Sequence, residues 1–407
     1  MIELLKETYE RLITQVQTKR YRYLYPQFQI NDRLTGLIGA RGVGKTTLML
    51  QYIKNHLYHD KKTIYFSADQ TYFNTNSLLG LVNQLFNEEG LTIFFIDEIH
   101  KYKFGDWSQE IKNIYDSFPT IKIIFSGSSS LDLIKGSYDL SRRAKLFHLH
   151  GMSFREYLNF KTDTDIPAVA FAELMEHYQD YNAEWSSIPK LTGHFKEYLI
   201  SGYYPFLFEN EDLISYYEKI SQVINKTIYE DISQFYSLKT NYLVHLGKIL
   251  NFLATIPPGQ LNIHNLAKNL SIDDKTTFNY LTILNEVGLV RAVYPKENGN
   301  PSLRKPEKIL INNTTLLAAI CYSIGKPVDQ GMIRELFFLQ SLSSAGVPVF
   351  YSKEGDYCTQ EYIFEIGGKN KTNRQIKHAG DKAYLVKDNM LIATRNEIPL
   401  YYFGFLY

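Results

Sequence analysis

An apolar run, Leu34 to Gly39, leads directly into Gly39-Ala40-Arg41-Gly42-Val43-Gly44-Lys45-Thr46-Thr47, and an amphipathic segment carrying Leu48, Tyr52, Ile53 and Leu57 follows. Nothing else in this 407-residue chain restricts its fold as tightly. The GxxxxGKT spacing between an apolar strand and a helix predicts a phosphate-binding loop. Glycines let the backbone N–H groups curl around phosphate oxygens, and the helix N-terminus adds the positive end of its dipole. Lys45 is then the residue that reaches the β and γ phosphates, and Thr46 can hold Mg2+. Nucleotide binding by residues 39–47 is the expectation.

A second apolar strand, Leu91 to Glu98, closes in two carboxylates and has the form of a Walker B element. Parallel sheets gather ligands at the carboxyl ends of their strands. Asp97 is therefore expected to hold the metal, and Glu98 to polarise the attacking water. KKTIYFSAD reads as a strand ending at Asp69, Leu78 to Leu85 and Trp107 to Phe118 as helices, and Ile121 to Phe125 as another buried strand with Ser126 at its end. A hydroxyl there can bond the γ-phosphate or the water; the alternative is a Ser/Gly-rich loop that starts the next helix. Arg142 and Arg143 precede a fifth strand, Lys145 to Leu149. Either arginine can stabilise charge on the γ-phosphate of its own or a neighbouring subunit, the alternative being a basic surface turn. Ahead of all this, Leu4, Leu5, Tyr9, Leu12, Ile13 and Val16 mark a docking helix over residues 4–16.

Composition removes whole classes. No stretch nears the ~18 apolar residues of a membrane helix, and 44% hydrophobic with 21% charged residues is not the balance of a disordered chain. The opening MIELLKETYERL sets Glu3, Lys6 and Glu7 where a signal peptide needs an apolar run, so a cytoplasmic chain without a membrane partner is expected. Cys321 and Cys358 are the two cysteines, far apart and without metal-ligand spacing. Forty-four Lys and Arg against 43 Asp and Glu leave +1, so a polyanion would have to be met by a local patch.

Taken in order, GARGVGKTT, FFIDEIHKY, IIFSGSSS, DLSRRA and SFREYL resemble the AAA+ superfamily, and more closely the bacterial and archaeal ATPases in which such a domain precedes a C-terminal domain of unknown function. The resemblance covers residues 32 to about 160. It implies a P-loop NTPase of α/β class: a five-stranded parallel sheet with the phosphate-loop strand central and an extra strand between it and the Walker B strand. It places phosphate-loop roles on Lys45 and Thr46, metal and water roles on Asp97 and Glu98, the sensor on Ser126 and an arginine finger on Arg142 or Arg143. A sensor arginine of the usual lid is missing after this stretch.

The C-terminal half reads as three pieces. YLISGYYPFL, with Gly202 and Pro205, resembles the Gly-x-Pro element by which related signalling ATPases touch nucleotide, but two tyrosines separate the pair; a plain interhelical turn is the other reading. Residues 239–296 show a winged-helix pattern whose third helix, capped by Asp273 or Asp274, is expected to expose Lys275, Thr276, Asn279 and Tyr280. Six cations, Lys239, Lys248, Lys268, Lys275, Arg291 and Lys296, against Asp273, Asp274 and Glu286 leave a modest +3. The last hundred residues alternate a helix, Met332 to Ser343, with strands VPVFYS, EYIFEI, KAYLVK and EIPLYYF, and resemble a restriction-endonuclease-like fold. That resemblance points to Asp356, Glu361, Glu365 and Lys369, yet the Glu365 to Lys369 spacing does not put both groups on one strand face, so a degenerate, non-cutting copy is expected. Lys369, Lys371, Arg374 and Lys377 form a basic stretch able to touch a phosphate backbone.

The resulting expectation is an N-terminal helix and lead-in (1–30), an ATPase core (31–160), a helical lid or linker (161–238), a winged-helix-like region (239–300) and a degenerate endonuclease-like α/β domain (301–407). The whole would bind and hydrolyse ATP with Mg2+ and couple ATP and ADP states to a macromolecule, DNA being favoured, with nucleotide-dependent self-assembly. A slow signalling switch with a protein partner and an ATP-dependent nuclease are the competing classes.

Overall fold

The computed structural model describes residues 2–127, 142–209, 212–236, 238, 240–259, 262–296, 305–372 and 374–407. By their contacts the residues form two compact units, Met1–Gly151 and Met152–Tyr407.

In the first unit, short apolar strands form a five-stranded sheet: β1 (Leu34–Ile38), β2 (Thr63–Ser67), β3 (Ile93–Asp97), β4 (Lys122–Gly127) and β5 (Lys145–His148). Every pairing is parallel, in the order β2-β3-β4-β1-β5. All of β1 and nearly all of β2, β3 and β4 are buried, as expected for a sheet covered on both faces, which selects continuous apolar runs over alternation. The extra strand is where the motif order put it, since β4 separates β1 from β3. The middle place, however, belongs to β4, and β1 lies between it and the edge strand β5.

Helices α2 (Lys45–His56), α3 (Leu78–Glu89) and α4 (Trp107–Ser117) make the crossovers or follow the strands. Ser77 caps α3 through Gly80 N–H, and Asp106 caps α4 through Ser108 and Gln109 N–H. The first helix, α1 (Ile2–Gln15), buries Leu5, Tyr9 and Ile13, an i, i+4, i+8 stripe, whereas Leu4 is 62% exposed and not part of the docked face.

The second unit begins with α5 (Phe154–Thr162), held by a capping box between Ser153 and Glu156, and continues with α6 (Phe171–His177), α7 (Asn182–Ser186), α8 (Leu191–Ser201) and α9 (Leu213–Lys226), which runs on through a π-helical turn, Thr227–Ile232. Three helices follow, α10 (Thr240–Leu253), α11 (Ile263–Leu270) and α12 (Asp274–Glu286), then an antiparallel ribbon of β6 (Val290–Val293) and β7 (Lys308–Ile311). Asp273 is the cap of α12, accepting from Thr276 N–H. Lys275 and Asn279 are exposed, but Tyr280 is buried, with its ring stacked near His245.

Two further helices, α13 (Thr314–Ser323) and α14 (Gln330–Ser344), lead to a second sheet in the order β12-β11-β10-β9-β8. Its strands are β8 (Phe350–Tyr351), β9 (Tyr357–Cys358), β10 (Ile363–Gly367), β11 (Ala383–Lys387) and β12 (Glu397–Pro399); β8, β9 and β10 pair antiparallel, and β10, β11 and β12 parallel. EIPLYYF is not one strand. It leaves β12 at Pro399 and winds into a 3-10 turn, Leu400–Phe405, all six residues of which are buried. Phe405 stacks on Trp185 at 4.2 Å and Tyr402 meets it edge-on at 4.6 Å, so much of the aromatic content is core.

Candidate functional site

The phosphate-type loop joins β1 to α2. Gly42 and Gly44 have φ of +85° and +96°, backbone that only glycine adopts without cost. Gly39 is needed for space: a Cβ there would lie 2.3 Å from the Leu149 carbonyl oxygen. Arg22, 5% exposed, donates to the Val43 carbonyl inside the loop and, at 2.7 Å, to that of His150, fastening the loop to the end of β5. Lys45 starts α2 and is buried, its Nζ donating to the carbonyls of Gly39 (2.9 Å) and Ala40 (3.2 Å). The lysine thus already lies across the mouth of the loop.

Asp97, at the end of β3, is 2% exposed and collects four donors. Its Oδ2 accepts from Thr46 Oγ1 at 2.5 Å and Tyr65 OH at 2.7 Å; its Oδ1 accepts from Ser126 Oγ and, at 3.0 Å, from Glu98 N–H. Burial first, and the Asp97 carboxylate second, push the Tyr65 phenol far above its ordinary range, so it remains a donor. Ser126 Oγ also accepts from Glu98 N–H at 3.1 Å. Thr46 and Ser126, chosen from separate motifs, therefore meet on the Asp97 carboxylate together with the Glu98 backbone N–H. Thr46 and Asp97 present two hard oxygens to each other, the donor set that fits Mg2+.

Glu98 follows with φ +50°, a left-handed conformation that costs a non-glycine residue about 1 kcal/mol or more. Its Oε2 lies 3.2 Å from Nε2 of His100, which is 1% exposed. Arg143 is held on the α4 side, 3.5 Å from Asp116 with its guanidinium over the Tyr115 ring, while Arg142 is exposed. The remainder of the serine run after Gly127, the Asp139-Leu140-Ser141 part of DLSRRA and residues 297–304 lie outside the described residues.

Tyr65, His100 and Arg22 were not singled out by sequence reasoning. Tyr65 had a usable signal, since β2 ends in register with β3, Ser67 opposite Asp97, so a hydroxyl two residues earlier on that strand is within reach. Arg22 sits in an aromatic segment without any motif, and no spacing rule would have selected it.

In the second unit, Gly202 ends α8, and a Cβ on it would stand 2.1 Å from Cδ2 of Tyr198. Its lack of a side chain is accounted for by that packing. Among the described residues no helix is long and apolar enough to cross a membrane.

Residues 31–158 match the AAA domain family, and residues 192–326 match a domain of unknown function, DUF8612. An uncharacterized protein of Methanocaldococcus jannaschii is 29% identical over 383 residues, covering 85% of this chain and 78% of its own. Among solved structures, the Holliday junction branch migration motor RuvB of Thermotoga maritima overlaps 80% of this chain and 95% of its own at 16% identity and a TM-score of 0.29. AMPPCP-bound DnaA from Aquifex aeolicus overlaps 70% and 86% at 15% identity and 0.26. These structural overlaps are loose, and the architecture above stands on its own sheet order.

Proposed function

We propose a function for what is, through residues 31–158, an AAA+ ATPase-type chain with a C-terminal domain of unknown function: it binds ATP with Mg2+, hydrolyses it, and passes the nucleotide state to duplex DNA. The observation that carries the first part is the meeting of Thr46, Ser126 and Tyr65 on Asp97 beside the buried Lys45.

Each residue then has one task. The loop N–H groups from Gly39 to Thr47 hold the phosphates, and Lys45 exchanges the Gly39 and Ala40 carbonyls for phosphate oxygens. Thr46 and Asp97 are the residues that would hold Mg2+, which supplies positive charge against the phosphates when bound. Tyr65 and Ser126 fix the Asp97 carboxylate, and Glu98 accepts a proton from the attacking water. Arg142 or Arg143 completes the charge on the γ-phosphate from a neighbouring copy.

Support for DNA comes from α10 to α12 and the β6–β7 ribbon, read as a winged helix. Lys248, Lys268 and Lys275 are exposed on this region, with Asn279 beside Lys275 on α12. ATP turnover measured with and without duplex DNA is the test. A rise in turnover with DNA is expected; equal rates together with no DNA binding at low salt would remove DNA as the partner.

The contact between Glu98 and His100 favours a second reading, a slow nucleotide switch with a protein partner, in which the water-activating carboxylate rests on the histidine until the partner binds.

A further inference from the structure

The chain leaving β6 and the antiparallel end of the second sheet frame an open cavity of about 410 Å³ that the ATPase reading does not use. Three segments wall it, and each is tied down. Pro295 bridges to Tyr351 on the edge of β8, where Tyr351 N–H donates to the Tyr294 carbonyl at 2.8 Å. Lys296 then reaches across to the turn between β9 and β10, its Nζ donating to the Gln360 carbonyl at 2.6 Å. The third wall is the turn after β8, closed on Ser352, whose Oγ accepts from Glu354 N–H at 3.2 Å and Gly355 N–H at 3.3 Å. A volume in the range of ~300–1,000 Å³ and walls formed in advance are the marks of a small-ligand site.

What these walls leave unsatisfied selects the ligand. The two N–H groups occupy both lone pairs of the Ser352 hydroxyl, and Thr359, 4% exposed, accepts from Tyr362 N–H at 3.1 Å. Among the described residues neither hydroxyl proton has an acceptor. Lys353 is exposed and has no ion pair among those residues, and Lys296 keeps further N–H groups beyond the one given to Gln360. Glu361 is taken by Lys382 at 2.8 Å, which leaves Glu354 as the unpaired lining carboxylate among the described residues. Free donors therefore outnumber free acceptors, as an anion requires. The other walls are flat or apolar: the half-buried rings of Tyr351 and Tyr362, with Pro295, Ile363 and Cys358. Burial holds the Cys358 thiol above its usual range against the opposing pull of Lys296, so it is floor and not nucleophile.

We propose that this cavity binds a nucleoside phosphate. Its base lies against the tyrosine rings, a contact that every base can make. Its phosphate, with three acceptor oxygens and close to two negative charges, takes the Ser352 and Thr359 hydroxyls and the Lys296 and Lys353 ammoniums, more donors than one carboxylate could use. Glu354 accepts from sugar hydroxyl or base amino hydrogens. A free nucleotide and the unpaired, 5′-phosphorylated end of a DNA strand bring this same chemistry; the second source alone rests on the DNA reading above. Failure here would leave ATP hydrolysis and duplex binding untouched, since neither uses these residues.

The test uses the full chain with the nucleotide loop silenced by Lys45→Ala. Adenosine, guanosine, cytidine and uridine 5′-monophosphates are titrated by calorimetry, and a fluorescein-labelled, 5′-phosphorylated dT oligonucleotide by anisotropy. One site per chain is expected for at least one probe, with the unphosphorylated counterpart at least about tenfold weaker. Thr359→Val and Lys353→Glu should each weaken binding at least about tenfold, the loss of one hydrogen bond to a charged group, whereas Lys275→Ala should not. Lys353 is exposed, so Lys353→Glu decides the matter even where Thr359→Val fails to fold. Binding of monophosphates assigns a free nucleotide, and binding of the oligonucleotide alone assigns a strand end. No binding by any probe, or binding that Lys353→Glu leaves unchanged, would overturn the site.

Discussion

On the proposed mechanism, Glu98 is the residue whose neighbours separate binding from turnover. Lys45→Ala should then abolish tight ATP binding, whereas Glu98→Gln should keep it and lower turnover by about 100-fold, since in that mechanism only Glu98 acts on the water. Nucleotide titration and phosphate release read the two effects, and equal loss of binding in both variants contradicts the assignment. His100→Ala frees Glu98 from a contact of about 1 kcal/mol, so basal turnover should rise about fivefold while ATP affinity holds. A fall in basal turnover would show that the histidine aligns the carboxylate for reaction. At this scale the sequence was most readable where chemistry is contiguous: Lys45 and Thr46, or Asp97 and Glu98, declare themselves by spacing. Tyr65 and His100 do not, because their contacts with Asp97 and Glu98 depend on strand register and on the left-handed turn at Glu98. Lys371 was legible only as part of a basic stretch; its ion pair with the buried Glu365 depends on the missing side chain at Gly367.

Single elements behave differently in the two units. The strands of the first sheet were legible to within a few residues, because buried parallel strands are short apolar runs with sharp polar ends. In the second sheet that signal fades. β8 and β9 are two residues each, and the Leu400–Phe405 run is buried on every side, so neither alternation nor helical period distinguishes a strand from a 3-10 turn. Helix α8 offers a direct check on packing. Gly202→Ala at its end must displace Tyr198 and should destabilise the second unit by about 1–3 kcal/mol. Gly193→Ala in the same helix meets nothing within 4 Å and should instead be neutral or stabilising by up to about 1 kcal/mol. Urea midpoints measure both, and equal shifts would remove the steric argument at Gly202.

For the whole molecule, the arginines and the basic face make the testable statements. If an arginine acts on a neighbouring copy, specific ATPase activity rises with protein concentration, ATP promotes assembly seen by light scattering, and Arg142→Ala or Arg143→Ala lowers turnover by about a thousandfold without dissociating nucleotide. Monomers at every concentration with constant specific activity would refute this. Duplex DNA affinity should fall with salt on a log-log slope of roughly −2 to −4, and Lys275→Ala should flatten that slope by about one. A salt-independent affinity argues against phosphate contacts.

The placing of residues 400–405 against Trp185 and Phe154 also bears on how the chain comes into being. The core of the second unit joins its first helix to a segment some 250 residues downstream, so loop closure on that scale must precede its reward. On a ribosome the first unit, whose strands all lie within residues 34–148, can complete its sheet early. The second must wait, with Phe154, Trp185 and Phe195 uncovered, until Phe405 has emerged. That interval is the period of greatest risk for aggregation, and a nascent chain halted anywhere between about residue 200 and residue 400 should bind a holdase chaperone that the released protein ignores.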